Sequence, residues 1–341
     1  MDFLNFLKTV EPRFREKQLR QAVFKEYRTD FDQIFTIGKY DREKWAAEVR
    51  ILPFTVKDVQ ESSDRSTKWL LENQTKNPIE TVLMNFKDGR NTVCISSQSG
   101  CAGKCAFCAT GKLGFKCNLT AWEIVAQVIL AANYLNKHQT PNSKLQTNNH
   151  ITNIVFMGMG EPLLNLNNVL NAIALLTDPE GFGLGARHIT VSTSGPIDNL
   201  RNFLAAKTRT TLAISLHAPN QLLREKLMPM ARVNKLDRLI NMLDEYVNEE
   251  NGRRVTYEYI MLKNVNDRLK DAHELGQLLK GRLAHVNLIS FNPVPGIEFQ
   301  PSEKYAIDNF REIVESYGVT VTKRVSLGDE IAAACGQLAG K

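Results

Sequence analysis

From residue 76 onward the chain alternates short β-rich apolar runs with stretches of helical periodicity, and that rhythm leaves few folds open to it. The runs are IETVLMNF, NTVCISSQ, NIVFMGMG, HITVSTSG, TLAISLHA, RVTYEYIML and HVNLISFNP, with helical patterns such as TAWEIVAQVILAANYL and LDRLINMLDEYV between most of them. Strand–helix alternation implies parallel strands joined by right-handed crossovers. Six such strands are expected near 92–98, 153–160, 188–195, 211–218, 254–262 and 285–293. That is short of the roughly eight strands of a closed barrel. The reading is therefore an α/β chain with a partial (βα)6, TIM-like barrel; a doubly wound open sheet is the alternative. Residues 1–75 are polar instead, with LRQAVFKEY and DREKWAAEV as short amphipathic helices. They are expected to form a small helical N-terminal domain ahead of a 76–341 core, a division that 341 residues allow.

Hydrophobic residues make up 43% of the chain, enough for a sizeable core. A net charge of +6 permits a nucleic-acid partner without requiring one. Arg13, Arg15, Lys17, Arg20, Lys25 and Arg28 fall close together and make either an RNA-facing surface or a solvated helix face. The start, MDFLNFLKTVEPRFREK, has no apolar core of signal length, and no apolar run approaches the ~20 residues of a membrane span. The expectation is a cytoplasmic protein with reduced thiols and no membrane partner. The Asn-rich stretch 137–152 reads as an inserted surface loop.

In parallel sheets and barrels, active sites lie at the carboxyl ends of strands, and the unusual residues sit there. The second strand ends in Gly158-Met159-Gly160-Glu161-Pro162, where glycine permits close backbone approach and Glu161 can accept from an ammonium or a hydroxyl. The third ends in Ser192-Thr193-Ser194-Gly195, the fourth in Ser215-Leu216-His217-Ala218 and the sixth in Asn292-Pro293. Each signal has a bland reading as a tight turn or a satisfied structural residue. Their agreement on one rim is what makes them a candidate site.

The first strand runs into CISSQSGCAGKCAFCATGKLGF, which holds Cys94, Cys101, Cys105 and Cys108. The last three have the spacing C-x3-C-x2-C, typical of metal ligands. A structural zinc takes a closed set of four ligands. An iron–sulfur cubane also usually takes four cysteines, so three on one loop would leave one iron open to a ligand. A zinc knuckle closed by Cys94 or Cys117 is the competing reading. Cys94 could equally be a buried strand residue, and Cys335, among alanines in AAACGQLAG, a small buried hydrophobe.

The three-cysteine loop resembles that of the radical S-adenosylmethionine (SAM) superfamily. IETVLMNF, CISSQSGC, FMGMGEPLLN, STSG, SLHAPN, the VND of MLKNVND, and ACGQLAG extend the likeness to the RlmN/Cfr family of RNA methyltransferases, from about residue 66 to the end. The form GMGEPLLN, with Pro162 after the Glu, favours the adenine carbon-2 enzymes over the Cfr type, which methylates carbon 8 and confers antibiotic resistance. The resemblance implies that Cys101, Cys105 and Cys108 bind a [4Fe–4S] cluster. It implies SAM contacts at Gly160, Glu161, Ser192, Ser215, Leu216, His217 and Asn292. It makes Cys335 the methyl-carrying residue, Cys94 its partner in a transient disulfide, and Glu80 a proton acceptor, with Cys94 the alternative group for removing the ring proton. The implied substrates are one adenine of 23S rRNA and the adenine beside the anticodon of certain tRNAs. An electron donor such as flavodoxin or ferredoxin is implied as a partner, and a monomer is expected. The chain departs from the family at Cys117, where a basic residue is usual.

Carbon 2 of adenine is electron-poor and is no nucleophile, so polar methyl transfer cannot reach it, whereas radical addition can. In the family's scheme one SAM methylates the Cys335 thiolate and a second supplies the radical that activates that methyl. The target base must also leave its stack. Lys112, Lys116, Arg187, Lys323 and Arg324 are further candidates for phosphate contact. A zinc-containing RNA-binding protein without catalysis is the alternative from another class.

Overall fold

The computed structural model describes residues 2–138, 150–249, 253–324 and 327–340. Twelve strands are present among them: β1 (Phe54–Glu61), β2 (Ser66–Asn73), β3 (Pro78–Asn85), β4 (Asn91–Cys94), β5 (Gln98–Ser99), β6 (Cys117–Asn118), β7 (Asn153–Phe156), β8 (Ile189–Thr193), β9 (Thr211–Ser215), β10 (Val255–Met261), β11 (Ala284–Ser290) and β12 (Thr320–Arg324). Ten of them form one sheet in the order β1-β2-β3-β4-β7-β8-β9-β10-β11-β12. From β4 to β12 every pairing is parallel, whereas β1 to β4 pair antiparallel. The six expected barrel strands are all there. A seventh, β12, follows the helix Lys304–Ser316 and pairs with β11. No pairing joins β12 to β4, so the barrel is partial and open.

The inner and outer faces follow from the two-residue period of a strand. Val93, Ile154, Val191, Leu212, Ile214, Tyr257, Tyr259, Val286, Leu288 and Val321 belong to the main apolar core, packed against the helices outside. The alternate positions, among them Thr92, Thr190, Thr211, Thr256, Glu258, Asn287, Thr322 and Arg324, line a polar lumen inside. The helix Ala121–Lys137 is the largest of the outer layer. It starts with a capping box in which the Thr120 hydroxyl accepts from Glu123 N–H and the Glu123 carboxylate accepts from Thr120 N–H.

Residues 54–73 differ from the helical reading of the first 75. They are β1 and β2, and β2 pairs with β3 over Ser66–Met84 to Glu72–Pro78. The alternation of β1 is hidden because six of its eight residues are exposed. The helices of residues 3–48 share the core of the barrel: the Trp122 ring lies 4.9 Å from that of Phe3 and 5.9 Å from Phe24, and its indole donates to Ile51 O at 2.8 Å. Most of the 137–152 segment, residues 139–149, lies outside the described residues. No helix among the described residues is long and apolar enough to cross a membrane.

Candidate active site

One cavity at the carboxyl ends of the parallel strands is lined by Cys101, Cys105, Cys108, Gly158, Gly160, Glu161, Ser192, Ser194, Ser215, His217 and Cys335. The strand ends build it by close backbone approach. A Cβ on Gly158 would stand 2.7 Å from Ile95 carbonyl atoms, and one on Gly160, at φ +101°, would stand 2.6 Å from Gln98 Cβ. Glycine at both lets the end of β7 lie against the segment entering the cysteine loop.

Glu161 ties that turn to β8. One carboxylate oxygen accepts from the Thr193 hydroxyl (2.6 Å) and Leu163 N–H (3.1 Å), the other from Ser194 N–H and Oγ (both 2.8 Å). Burial raises its proton affinity, and these four donors oppose the rise. Any ligand ammonium reaching Glu161 must therefore share or replace one of them. His217 sits at φ +58°, and its Nδ1 accepts from Ile260 N–H at 3.1 Å. Burial, and then the Arg224 guanidinium, push its pKa down to about 3, so its ring is a neutral acceptor. Arg224 is fully buried and donates to Ser194 O (2.6 Å) and Ser215 O (3.3 Å), joining the ends of β8 and β9. Leu216 and Asn292 are buried and do not line the cavity, and Asn292 Nδ2 has no partner among the described residues.

All six cysteines are free. Cys101, Cys105 and Cys108 face the cavity, and burial first, then their mutual charges and that of Glu161, raises the pKa of Cys101 to about 12 and that of Cys105 well above its usual value. Neither proposed fourth ligand joins them. Cys117 lies on β6, where its sulfur accepts from Asn73 and Asn77 side-chain amides at 3.6 Å each. Cys94 lines the neighbouring lumen. Among the described residues no three His, Cys, Asp or Glu side chains gather about one metal-sized point. Three cavity-facing thiols without a fourth suit three corners of a cluster better than the closed tetrahedron of zinc.

The C-terminal segment brings Cys335 to this loop from more than two hundred residues away. Ala109 N–H donates to Gly336 O (2.8 Å) and the Thr110 hydroxyl to Leu338 O (2.6 Å). Gln337 Nε2 donates to Pro293 O (3.1 Å) and Asp329 (2.8 Å), and Gly340 N–H donates to Glu80 at 2.8 Å. Cys335 lines both the rim cavity and the lumen, and Cys94 lines the lumen. Burial pushes the Cys94 thiol up to about 12 and raises that of Cys335; the Arg324 guanidinium opposes both shifts.

Glu80 borders neither cavity. It is 1% exposed and lies on β3, with one oxygen 3.3 Å from Lys68 Nζ and the other holding Gly340. Several of the candidate cations have partners within the chain. Arg324 lines the lumen wall, partly buried, beside Glu258. Lys323 pairs with Asp308, and Lys112 donates to Gly296 O. Arg15, Arg20 and Arg28 pair with Asp41, Glu16 and Glu26. Glu258 was missed in the sequence. Its signal was available in the inward set Thr256, Glu258, Ile260 of β10, which places a carboxylate inside a strand flanked by buried tyrosines.

A partial parallel barrel whose first strand feeds a cavity-facing C-x3-C-x2-C loop defines a radical SAM protein, and the pattern of the radical SAM superfamily matches residues 95–276. The chain is 42% identical over 331 residues to the dual-specificity RNA methyltransferase RlmN of Alkalilimnicola ehrlichii, covering 97% of this chain and 89% of that one. It is 41% identical to the ribosomal RNA large subunit methyltransferase N of Nitrosopumilus maritimus, covering 96% and 92%. The crystal structure of a radical SAM methyltransferase from Sphaerobacter thermophilus superposes with a TM-score of 0.91 at 40% identity, covering 97% and 94%. The chain belongs to the RlmN family of radical SAM methyltransferases. That membership replaces the non-catalytic zinc reading of the cysteine loop.

Proposed function

We propose that the protein methylates carbon 2 of an adenine in 23S rRNA and in tRNA, with Cys335 as the residue that carries the methyl group. The observation that carries this reading is the common cavity of Cys335 and the three-cysteine loop. A [4Fe–4S] cluster on Cys101, Cys105 and Cys108, together with SAM, would supply the methyl group and the radical chemistry. The chain's own residues supply placement. Gly160, Glu161, Ser192, Ser215 and His217 border the space beside the loop.

Cys335 borders both that space and the polar lumen, so a base entering the lumen can reach its sulfur. Cys94 is buried and Cys335 is partly buried, which limits the access of water to the reacting carbon. Cys94, which lines the same lumen, attacks the Cys335 sulfur as a thiolate: the S–S bond forms as the sulfur–methylene bond breaks, and the expelled carbon takes up a proton to become the methyl group. Glu80 takes up the ring proton only after Gly340 has left it. Relatives named dual-specificity RNA methyltransferases support an RNA substrate for this chain.

Residues 1–50 are the RNA-contacting part in this reading. Phe14, Phe35 and Tyr40 are exposed, and the Arg15 and Arg42 guanidiniums lie 5.0 and 5.4 Å from the Phe14 and Phe35 rings. Aromatic faces beside arginine are the platforms on which unstacked bases settle. The reading also takes the protein as a cytoplasmic monomer served by flavodoxin or ferredoxin.

The test is Cys94→Ala. With the resolving thiol gone, protein and RNA stay joined through Cys335, and a retarded band on a denaturing gel maps to that cysteine. Free release of methylated RNA by this variant would remove Cys94 from the mechanism.

A further inference from the structure

We propose that Glu258 and Arg324 read the target adenine, Glu258 accepting from the exocyclic N6 amine and Arg324 donating to ring N1. This deepens the methyltransferase reading and rests on it. Glu258 projects inward from β10, and its side chain is 4% exposed. One carboxylate oxygen accepts from Asn287 Nδ2 at 3.0 Å. The other has no hydrogen-bond partner among the described residues, and Arg324 Nη1 stands 3.8 Å from it. Arg324, at the end of β12, otherwise meets Met157 Sδ at 3.2 Å. Both side chains line the rim cavity and the lumen alike.

A carboxylate oxygen buried without a donor is costly, and a structure retains one where a ligand completes it. The place of this one identifies the ligand. The methylene formed on Cys335 is the only link between sulfur and ring, so the groups that read the ring must border Cys335. Glu258 and Arg324 border the same two cavities as Cys335, and the Arg324 charge acts on both Cys335 and Cys94.

A base withdrawn from its stack is read on its Watson–Crick edge. Adenine presents a donor at N6 beside an acceptor at N1, the complement of a carboxylate beside a guanidinium. Guanine and hypoxanthine present the reverse and set a carbonyl against the carboxylate. N1 also adjoins carbon 2. A hydrogen bond to N1 therefore draws electron density from the carbon under attack and stabilises charge that builds there.

The test compares oligoribonucleotides carrying adenosine, purine riboside (no N6 amine) or 1-deazaadenosine (no N1) at the target position. Each is methylated by the reconstituted wild-type holoenzyme and by Glu258→Met and Arg324→Met. The wild type is expected to prefer adenosine to either analogue by about ten-fold or more in kcat/KM, the size of one good base-edge contact. Glu258→Met should lose the preference over purine riboside, and Arg324→Met the preference over 1-deazaadenosine, each keeping the other preference. A loss of packing alone would slow all three substrates together and leave the ratios unchanged, which overturns the proposal. If thermal unfolding shows one variant misfolded, the other variant and its own analogue decide. A wild type that methylates no adenosine substrate overturns the methyltransferase reading itself. A wild type that methylates adenosine and both analogues equally overturns only the assignment of the two side chains.

Discussion

Glu80 and Lys68 are the most exacting place to test how the reactive tail is held. Lys68 on β2 and Glu80 on β3 stand on neighbouring antiparallel strands, with side chains 5% and 1% exposed and 3.3 Å apart. The free carboxylate oxygen holds the Gly340 amide. Removing one partner of a buried ion pair leaves an uncompensated charge and costs about 3–5 kcal/mol. Lys68→Met leaves Glu80 one donor, Gly340, so the low end applies and about 3 kcal/mol is expected. Glu80→Gln keeps an acceptor for Gly340 but strands the ammonium at similar cost. The double variant strands neither charge and should recover about 2 kcal/mol or more of the summed loss. Urea unfolding of the four proteins gives the cycle, and hydrogen exchange at the Gly340 amide reports the tail. Single losses that simply add in the double variant would refute the coupling. So would Gly340 exchange left unchanged when Glu80 is truncated to Ala.

Two further outcomes follow from the site. Cys335→Ala should abolish RNA methylation while iron and sulfide content stays at the wild-type level; methylation at the wild-type rate would exclude Cys335 as the carrier. His217 is held neutral with a pKa of about 3, below its ordinary value of about 6.5. The unfolded chain therefore binds a proton that the folded one refuses, and stability falls as pH drops below about 6.5. Between pH 8 and pH 5 this one group costs about 2 kcal/mol, read as the difference in urea midpoint between wild type and His217→Gln, whose side chain still offers an acceptor to Ile260 N–H. Equal pH slopes for the two proteins would contradict the neutral assignment.

The barrel was legible in the sequence because its parallel strands carry an outward apolar set that helices must cover, as in Val191 and Ile214. β12 was not, since TVTKR follows a helix, is short, and has an exposed residue at every second place or more. β1 escaped for the same reason, its residues being wetted on both faces. The cysteine loop and the strand-end motifs were legible because their spacing or their position at a strand end is itself the signal. The roles of Arg324 and Glu80 were not. A sequence shows that a residue is charged but not which face of its strand is inward, and Arg324, expected to contact phosphate, faces a buried carboxylate instead. Likewise no spacing could place Gly340 on Glu80, because the contact joins residues 260 positions apart.

Carbon 2 of adenine is the atom expected to receive the methyl group. Reconstituted protein, given SAM and a reductant, should be offered 23S rRNA and tRNA and the digested nucleosides identified by mass spectrometry against standards. 2-Methyladenosine is expected from both RNAs. 8-Methyladenosine, or no methylated adenosine from a protein loaded with cluster, would contradict this reading.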